Sequence, residues 1–216
     1  MDRKTAVVFG FGPFDIYKEN PSQSIAMKLD GLTIGGAEVS GHVLPVDHAR
    51  VEKEIIAELD RHKPSVALGL GLAAGRTKLS VEKVAINYMP VRTRSGNKKL
   101  GGAARIDACA PDGIFANINP EKIVEVLSRK DIPASLSLSA GSFLCNHAMF
   151  VIVREAVKRG IAGGFIHLPS DEAIASALKT DNCPSMSIGT MERGIRISME
   201  CVLKDWRKAG PASIAR

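Results

Sequence analysis

A chain of 216 residues, 45% apolar and 24% charged, has the size and balance of one globular domain, which excludes a disordered or fibrous protein. Its 20 glycines and 11 prolines are scattered, and Cys109, Cys145, Cys183 and Cys201 show no C-x-x-C spacing. Collagen, low complexity and a zinc ribbon are thereby excluded, and a disulfide-dense secreted scaffold is disfavoured at this size. The net charge of +6 is dispersed and poor in neighbouring aromatics, which argues against a nucleic-acid partner.

No apolar run approaches the ~18 residues of a membrane span. Asp2-Arg3-Lys4 followed by Ala6 to Phe11 has the outline of a short signal sequence, but it lacks a small-residue cleavage site and is cut by Pro13 and Asp15. It reads as a first buried strand, Thr5 to Phe9, running into the tight loop Gly10-Phe11-Gly12-Pro13. The expected setting is cytoplasmic, with cysteines as thiols.

Asn20-Pro21-Ser22 opens a helix, Ser22 to Leu29, and Glu38 to Pro45 is a second strand. Asp47 is expected to cap a helix whose Val51, Ile55, Ile56 and Leu59 share one face. Ser65 to Leu70 is a short apolar strand, and Gly69, Gly71 and Gly75 are read as a loop after it. Residues 92–113, polar, basic and rich in glycine, are read as a long surface loop, either a lid or an interface loop. Helices are expected over Glu121 to Arg129, Leu144 to Lys158, Asp171 to Leu178, and Thr190 to Lys204, the last interrupted at Gly194. Strands are expected over Ser135 to Ser139 and Gly163 to Pro169. Alternating strands and helices, without a linker or repeat, predict one domain over residues 1–216. The predicted fold is a three-layer α/β/α sandwich with a mostly parallel, mixed central sheet.

Ligands in such folds bind beyond the carboxyl ends of strands. Cys145 stands there, in the first turn of the strongest predicted helix, where the helix dipole favours a thiolate and backbone N–H groups can receive an oxyanion. The alternative is an ordinary buried cysteine. A thiol nucleophile needs a base. His147, two residues on, points elsewhere on a helix, and His62 sits in the charged helix end Arg61-His62-Lys63. His167, at the end of a strand, is the best placed of the five histidines, against the alternative of a structural histidine. Glu82, in the mostly apolar run Leu79 to Asn87, is a candidate for the acid that orients the base. Composition alone does not distinguish it from a solvent-facing glutamate. A rival motif, Gly69-Leu70-Gly71-Leu72-Ala73-Ala74, fits the dinucleotide pattern G-x-G-x-x-A, but residues 87–95 contain no acid to hold a ribose.

Five ordered stretches resemble the pyroglutamyl peptidase I family of cysteine peptidases. Gly10-Phe11-Gly12-Pro13-Phe14 with Asn20-Pro21-Ser22 resembles its opening motif, and Gly69 to Arg76 its glycine-rich loop. Glu82-Lys83-Val84-Ala85-Ile86-Asn87, Cys145-Asn146-His147, and Gly164 to Pro169 resemble the segments that carry its acid, nucleophile and histidine. The resemblance implies a Glu82, Cys145, His167 triad with Arg92 near the oxyanion. It also implies a pyroglutamyl lactam held between Phe11 and Phe14, near Asn20, against backbone around Leu72. It implies peptides with an N-terminal pyroglutamate as substrates, no metal or organic cofactor, no membrane partner, and a homo-oligomer, by family habit a tetramer. Three departures stand out: Leu72 for a glutamine, Asp15 for a glycine, and Thr93 to Asn97 for a different continuation after Arg92. They leave open a related thiol amidase or acyl hydrolase with another small substrate. A non-catalytic binding protein on the same fold is the remaining rival.

Overall fold

A computed structural model describes residues 4–15, 17–95, 98–178 and 183–209; the side chains of residues 91–103 and 209 lie outside that description. In chain order, β1 (Thr5–Phe11) leads to α1 (Pro21–Leu29), then to β2 (Thr33–Ile34) and β3 (Ala37–Leu44). Next come α2 (Val51–His62), β4 (Val66–Leu72), β5 (Leu79–Glu82) and β6 (Val84–Ile86). After these follow β7 (Met89–Ser95), β8 (Lys98–Ala104), β9 (Gly113–Phe115), α3 (Pro120–Ser128) and β10 (Ala134–Ser137). The chain continues through α4 (Leu144–Arg159), β11 (Ala162–Leu168), α5 (Glu172–Ala177) and α6 (Ile188–Ala209).

Among the described residues the main sheet has seven strands in the order β10-β5-β11-β4-β1-β3-β2. Four neighbours, β11, β4, β1 and β3, run parallel. β5 and β10 are parallel to each other, but β5 runs antiparallel to β11. β4 and β11 are buried along their whole length, as strands covered on both faces must be. One face packs Val8, Leu68, Leu70 and Ile166 against apolar residues of α1, α3 and α6, such as Ile25, Ile123 and Met199. The other packs Val7, Phe9, Ala67 and Phe165 against α2 and α4, including Ile55 and Phe150. The result is a single-domain α/β/α sandwich with a mixed, largely parallel sheet.

Four local expectations change. Asp47 does not cap α2: it heads a turn, accepting from Ala49 N at 2.8 Å, and the helix starts at Val51. Gly69 and Gly71 lie inside β4 and not in a loop. Residues 92–113 are not one loop. β7 and β8 pair over seven residues as a hairpin, Met89 opposite Ala104 to Ser95 opposite Lys98. That ribbon stands outside the main sheet, and its sequence lacks the sustained apolar alternation that announces a half-buried strand. Last, α6 runs unbroken through Gly194, where a Cβ would come within 2.4 Å of Leu79 Cδ1. The glycine admits close packing there and does not break the helix.

The placement of α1 depends on Gly10. A Cβ at that position would lie 2.1 Å from the Ser22 carbonyl oxygen, a backbone atom that cannot step aside, whereas one at Gly12 would meet only Val43 Cγ1 at 3.9 Å. Gly10→Ala should therefore destabilise the protein by about 3 kcal/mol through overpacking, and Gly12→Ala by less than about 1 kcal/mol. Urea denaturation of the two variants beside the parent checks both.

Candidate active site

β11 alternates, so Phe165 and His167 face the α4 side together. Antiparallel β5 sets Glu82 opposite Phe165 and Ser80 opposite His167. Glu82 is therefore the diagonal neighbour of His167 on the same face, within reach of a long side chain. Its Oε1 lies 2.8 Å from His167 Nδ1, and both residues are buried. The same oxygen accepts from Arg76 Nη1 at 2.7 Å, and Arg76 Nη2 donates to the Ser139 carbonyl at 3.3 Å.

Cys145 arrives from the other direction. Gly141, at φ +81, turns the chain after β10, and α4 begins at Leu144, so Cys145 is its second residue. Among the described residues no side chain caps this helix start, and the first-turn N–H groups face outward from the helix. The thiol settles over β4 beside Gly71, which is in register with His167. A Cβ on Gly71 would stand 2.9 Å from Cys145 Sγ, and one on Gly69 would stand 2.4 Å from the Phe165 ring. The G-x-G that mimics a dinucleotide fingerprint is thus a strand stripped of side chains to admit Phe165 and the thiol.

The electrostatics follow from this packing. Burial pulls the His167 pKa down, but hydrogen bonds and charge from Cys145 and Glu82 outweigh it, so the imidazole is raised from 6.5 to about 9. For Glu82, burial favours the protonated form, yet His167, Ser137 and Arg76 together hold its pKa below the usual carboxylate range. Glu82 is hydrogen-bonded to His167, and the Cys145 thiol lies close enough to act on the same imidazole. His147 belongs elsewhere. Its Nδ1 lies 2.8 Å from His48 Nδ1, and the two rings stack. Burial and the neighbouring His48 lower its pKa to about 4, so it is neutral at pH 7.

Cys145 also lines a small apolar pocket. Phe11, Phe14, Asn20 and Leu72 line it, joined by Val46, Phe143 and Leu144. Asn20 lines the pocket but is engaged within the protein. Its Oδ1 accepts from Ser22 N at 3.1 Å and from Ser22 Oγ at 2.7 Å, and its Nδ2 donates to the Gly12 carbonyl at 3.0 Å. It therefore ties the start of α1 to the Phe11–Phe14 wall. Asp15 is exposed at φ +53 beside this wall and is not among the lining residues. Arg92 lies on β7 opposite Gly101; its side chain is outside the described residues.

Several supporting residues escaped the sequence reading. Arg76 shows in sequence only as the end of a glycine-rich motif. Phe143 is visible only by adjacency to Cys145, and Val46 carries no signal of its own. Asn146, inside the Cys145-Asn146-His147 motif, acts as a brace: its amide accepts from Ile86 N at 2.9 Å and donates to Ile86 O at 2.8 Å and Tyr88 O at 3.2 Å. Asn87 holds the turn after the hairpin, accepting from Ile106 N at 2.8 Å and Asp107 N at 3.0 Å and donating to Asp107 O at 2.7 Å. Among the described residues one cluster has metal-ligand spacing, His42, Glu58 and His62. Its residues do not line the pocket.

The family model described as pyroglutamyl peptidase matches residues 4–205. The chain belongs to that family. A pyrrolidone-carboxylate peptidase of Saccharolobus islandicus is 49% identical over 199 residues, 92% of this chain and 95% of the relative. One of Pyrococcus furiosus is 34% identical over 92% of this chain and 98% of its own length. The solved pyrrolidone carboxyl peptidase of Thermococcus litoralis superposes with a TM-score of 0.88 at 31% identity, covering 95% of this chain and 96% of that one. No helix among the described residues is long and apolar enough to cross a membrane.

The raised histidine gives a signed pH prediction. A folded pKa of about 9 against 6.5 means that the stabilisation from His167 is complete below about 6.5 and is lost as pH rises through about 9. By NMR the His167 ring should titrate near pH 9, and lower in Cys145→Ser, which removes one of its two partners. An unchanged value in that variant would show that Glu82 alone holds the proton. A second expectation concerns Asn87: Asn87→Ala leaves the Ile106 and Asp107 N–H groups without their acceptor and should cost about 2–4 kcal/mol. Faster hydrogen exchange confined to residues 104–112 would report the loosened turn.

Proposed function

We propose that the protein is a cysteine exopeptidase that hydrolyses the bond after an N-terminal pyroglutamyl residue. The observation that carries the reading is the buried His167–Glu82 pair next to Cys145, a cysteine that lines an aromatic pocket. Membership of the pyroglutamyl peptidase family supports the substrate class.

In this reading the His167 imidazolium holds Cys145 as a thiolate, and Glu82 fixes the ring with Nε2 directed at sulfur. The flat lactam lies between Phe11 and Phe14, with Phe143 closing a third side, and its N–H and C=O meet backbone near Leu72. Sulfur attacks the pyroglutamyl carbonyl. The oxyanion is received by N–H groups in the first turn of α4, with Arg92 assigned beside it, an arrangement worth about 3 kcal/mol per donor. The C–N bond breaks as His167 passes its proton to the departing amine. The resulting thioester is hydrolysed by a water that His167 deprotonates, which regenerates the thiolate and the imidazolium. Arg76 keeps Glu82 ionised and is a positioning residue.

The specificity follows from what the pocket lacks. Its walls are apolar or internally satisfied, so a free glutamyl or glutaminyl terminus would bring a charge that no group there offsets. The unpaired thiol requires reducing conditions, which fits the cytoplasmic setting expected from the sequence. Assembly as a homo-oligomer, by family habit a tetramer, completes the reading, and light scattering on the purified protein tests it.

Pyroglutamyl-aminomethylcoumarin under reducing conditions tests the activity. The parent should release the fluorophore, and Cys145→Ser should lose more than about 10⁴-fold in rate. No turnover together with rapid alkylation of Cys145 by iodoacetamide would point to another acyl substrate. Alkylation no faster than that of a free model thiol would sink the nucleophile assignment.

A further inference from the structure

A second group of polar side chains converges on the α2 side of the sheet. Glu58 and His62 are one helical turn apart on α2, and Ser40 and His42 are on one face of β3. Glu58 Oε2 lies 3.3 Å from His42 Nε2 and 3.3 Å from His62 Nε2. Ser40 Oγ lies 2.9 Å from His42 Nε2 and 3.3 Å from His62 Nε2. The three nitrogen and carboxylate atoms all fall within 4.8 Å of one another. Zinc in a tetrahedral site binds nitrogen and oxygen at about 2.0–2.2 Å, which places neighbouring ligand atoms about 3.3–3.5 Å apart. The two separations from Glu58 Oε2 to the imidazole nitrogens match that edge length.

The wiring around the cluster leaves its centre available. Arg61 Nη1 approaches the other carboxylate oxygen of Glu58, Oε1, at 3.5 Å. Oε2 is buried and has no hydrogen-bond donor, a costly state for a carboxylate oxygen unless a cation completes it. The His42 ring is braced by Phe9 at 6.1 Å between centroids and by His62 at 5.1 Å. With side chains 16–24% exposed, the cluster is reachable from solvent. It is also remote from the thiol: His62 ends α2, and its carbonyl accepts the hydroxyl of Thr5 at the beginning of β1, whereas Cys145 sits near the carboxyl end of β4.

We infer that His42, Glu58 and His62, with Ser40 Oγ as a fourth polar atom, form a binding site for a divalent transition-metal ion of the zinc type that staples α2 to β3. The ligand set is two imidazoles and one carboxylate, a borderline donor set suited to Zn²⁺ and not to Mg²⁺ or Ca²⁺. The bound ion acts on stability, because it links elements that meet only through tertiary packing, and it takes no part in peptide hydrolysis.

Calorimetric titration with Zn²⁺ tests this on full-length Cys145→Ser protein, so that the proposed nucleophile cannot compete. One ion should bind per chain and raise the Tm, and Co²⁺ should give the visible d–d absorption of a tetrahedral site. His42→Ala and Glu58→Gln, each made in the same background and checked by circular dichroism, should weaken binding at least tenfold and abolish the Tm rise. In an otherwise native chain, Glu58→Gln should keep its peptidase activity. Absence of stoichiometric binding overturns the inference. So does binding undiminished in either folded variant, since the metal would then sit on Cys109, Cys183, Cys201 or another group.

Discussion

One buried proton organises this molecule. His167 holds it between a thiol and a carboxylate in a place where burial alone would expel it. A desolvated imidazolium survives only where nearby partners favour its charge. Three separated segments must therefore meet: the end of β5, the start of α4 and the end of β11. Much of the surrounding architecture serves that meeting. β5 runs against β11, which brings a carboxylate up from the opposite direction. Gly69 and Gly71 remove the side chains that would keep the Phe165 ring and the thiol away from β4.

The polar residues around this centre work as braces. Asn20 joins the first pocket wall to α1, Asn146 joins the segment after Glu82 to α4, and Asn87 joins the hairpin to the turn behind it. An amide side chain carries both a donor and an acceptor, so one asparagine can satisfy two backbone segments at once. Buried backbone groups need such partners wherever a chain leaves regular structure. That requirement is why the motif stretches contain asparagines that need not touch substrate. Arg76 plays the corresponding ionic part for Glu82.

Much of the scaffold was legible from local pattern. β1, α1, α4 and β11 follow from uninterrupted apolar runs, a helical apolar face, an Asn-Pro start and a glycine at the end of α4. The hairpin of β7 and β8 was not legible, because its strands stand outside the main sheet and lack the alternation that a half-buried strand displays. The start of α2 was misplaced because Asp47 makes the same local hydrogen bond in a turn as in a cap. Gly194 looked like an interruption because its effect on helix propensity is local, while the close approach of Leu79 that favours it comes from a distant strand.

The sequence by itself singled out Cys145 and His167 as candidates for the two ends of the proposed chemistry. A cysteine at a helix start and a histidine at a strand end are local features, readable from neighbours a few residues away. With the ordered motifs they also determined the family. Tertiary structure alone decided that Glu82 is buried and bonded to His167, that Arg76 shares its oxygen, and that Phe143 completes the pocket with Phe11 and Phe14. It also decided that His42, Glu58 and His62, unremarkable along the chain, point at one another. These are matters of strand order, direction and register between distant segments, Glu82 and His167 being 85 residues apart, and no local pattern encodes which distant side chain will lie opposite.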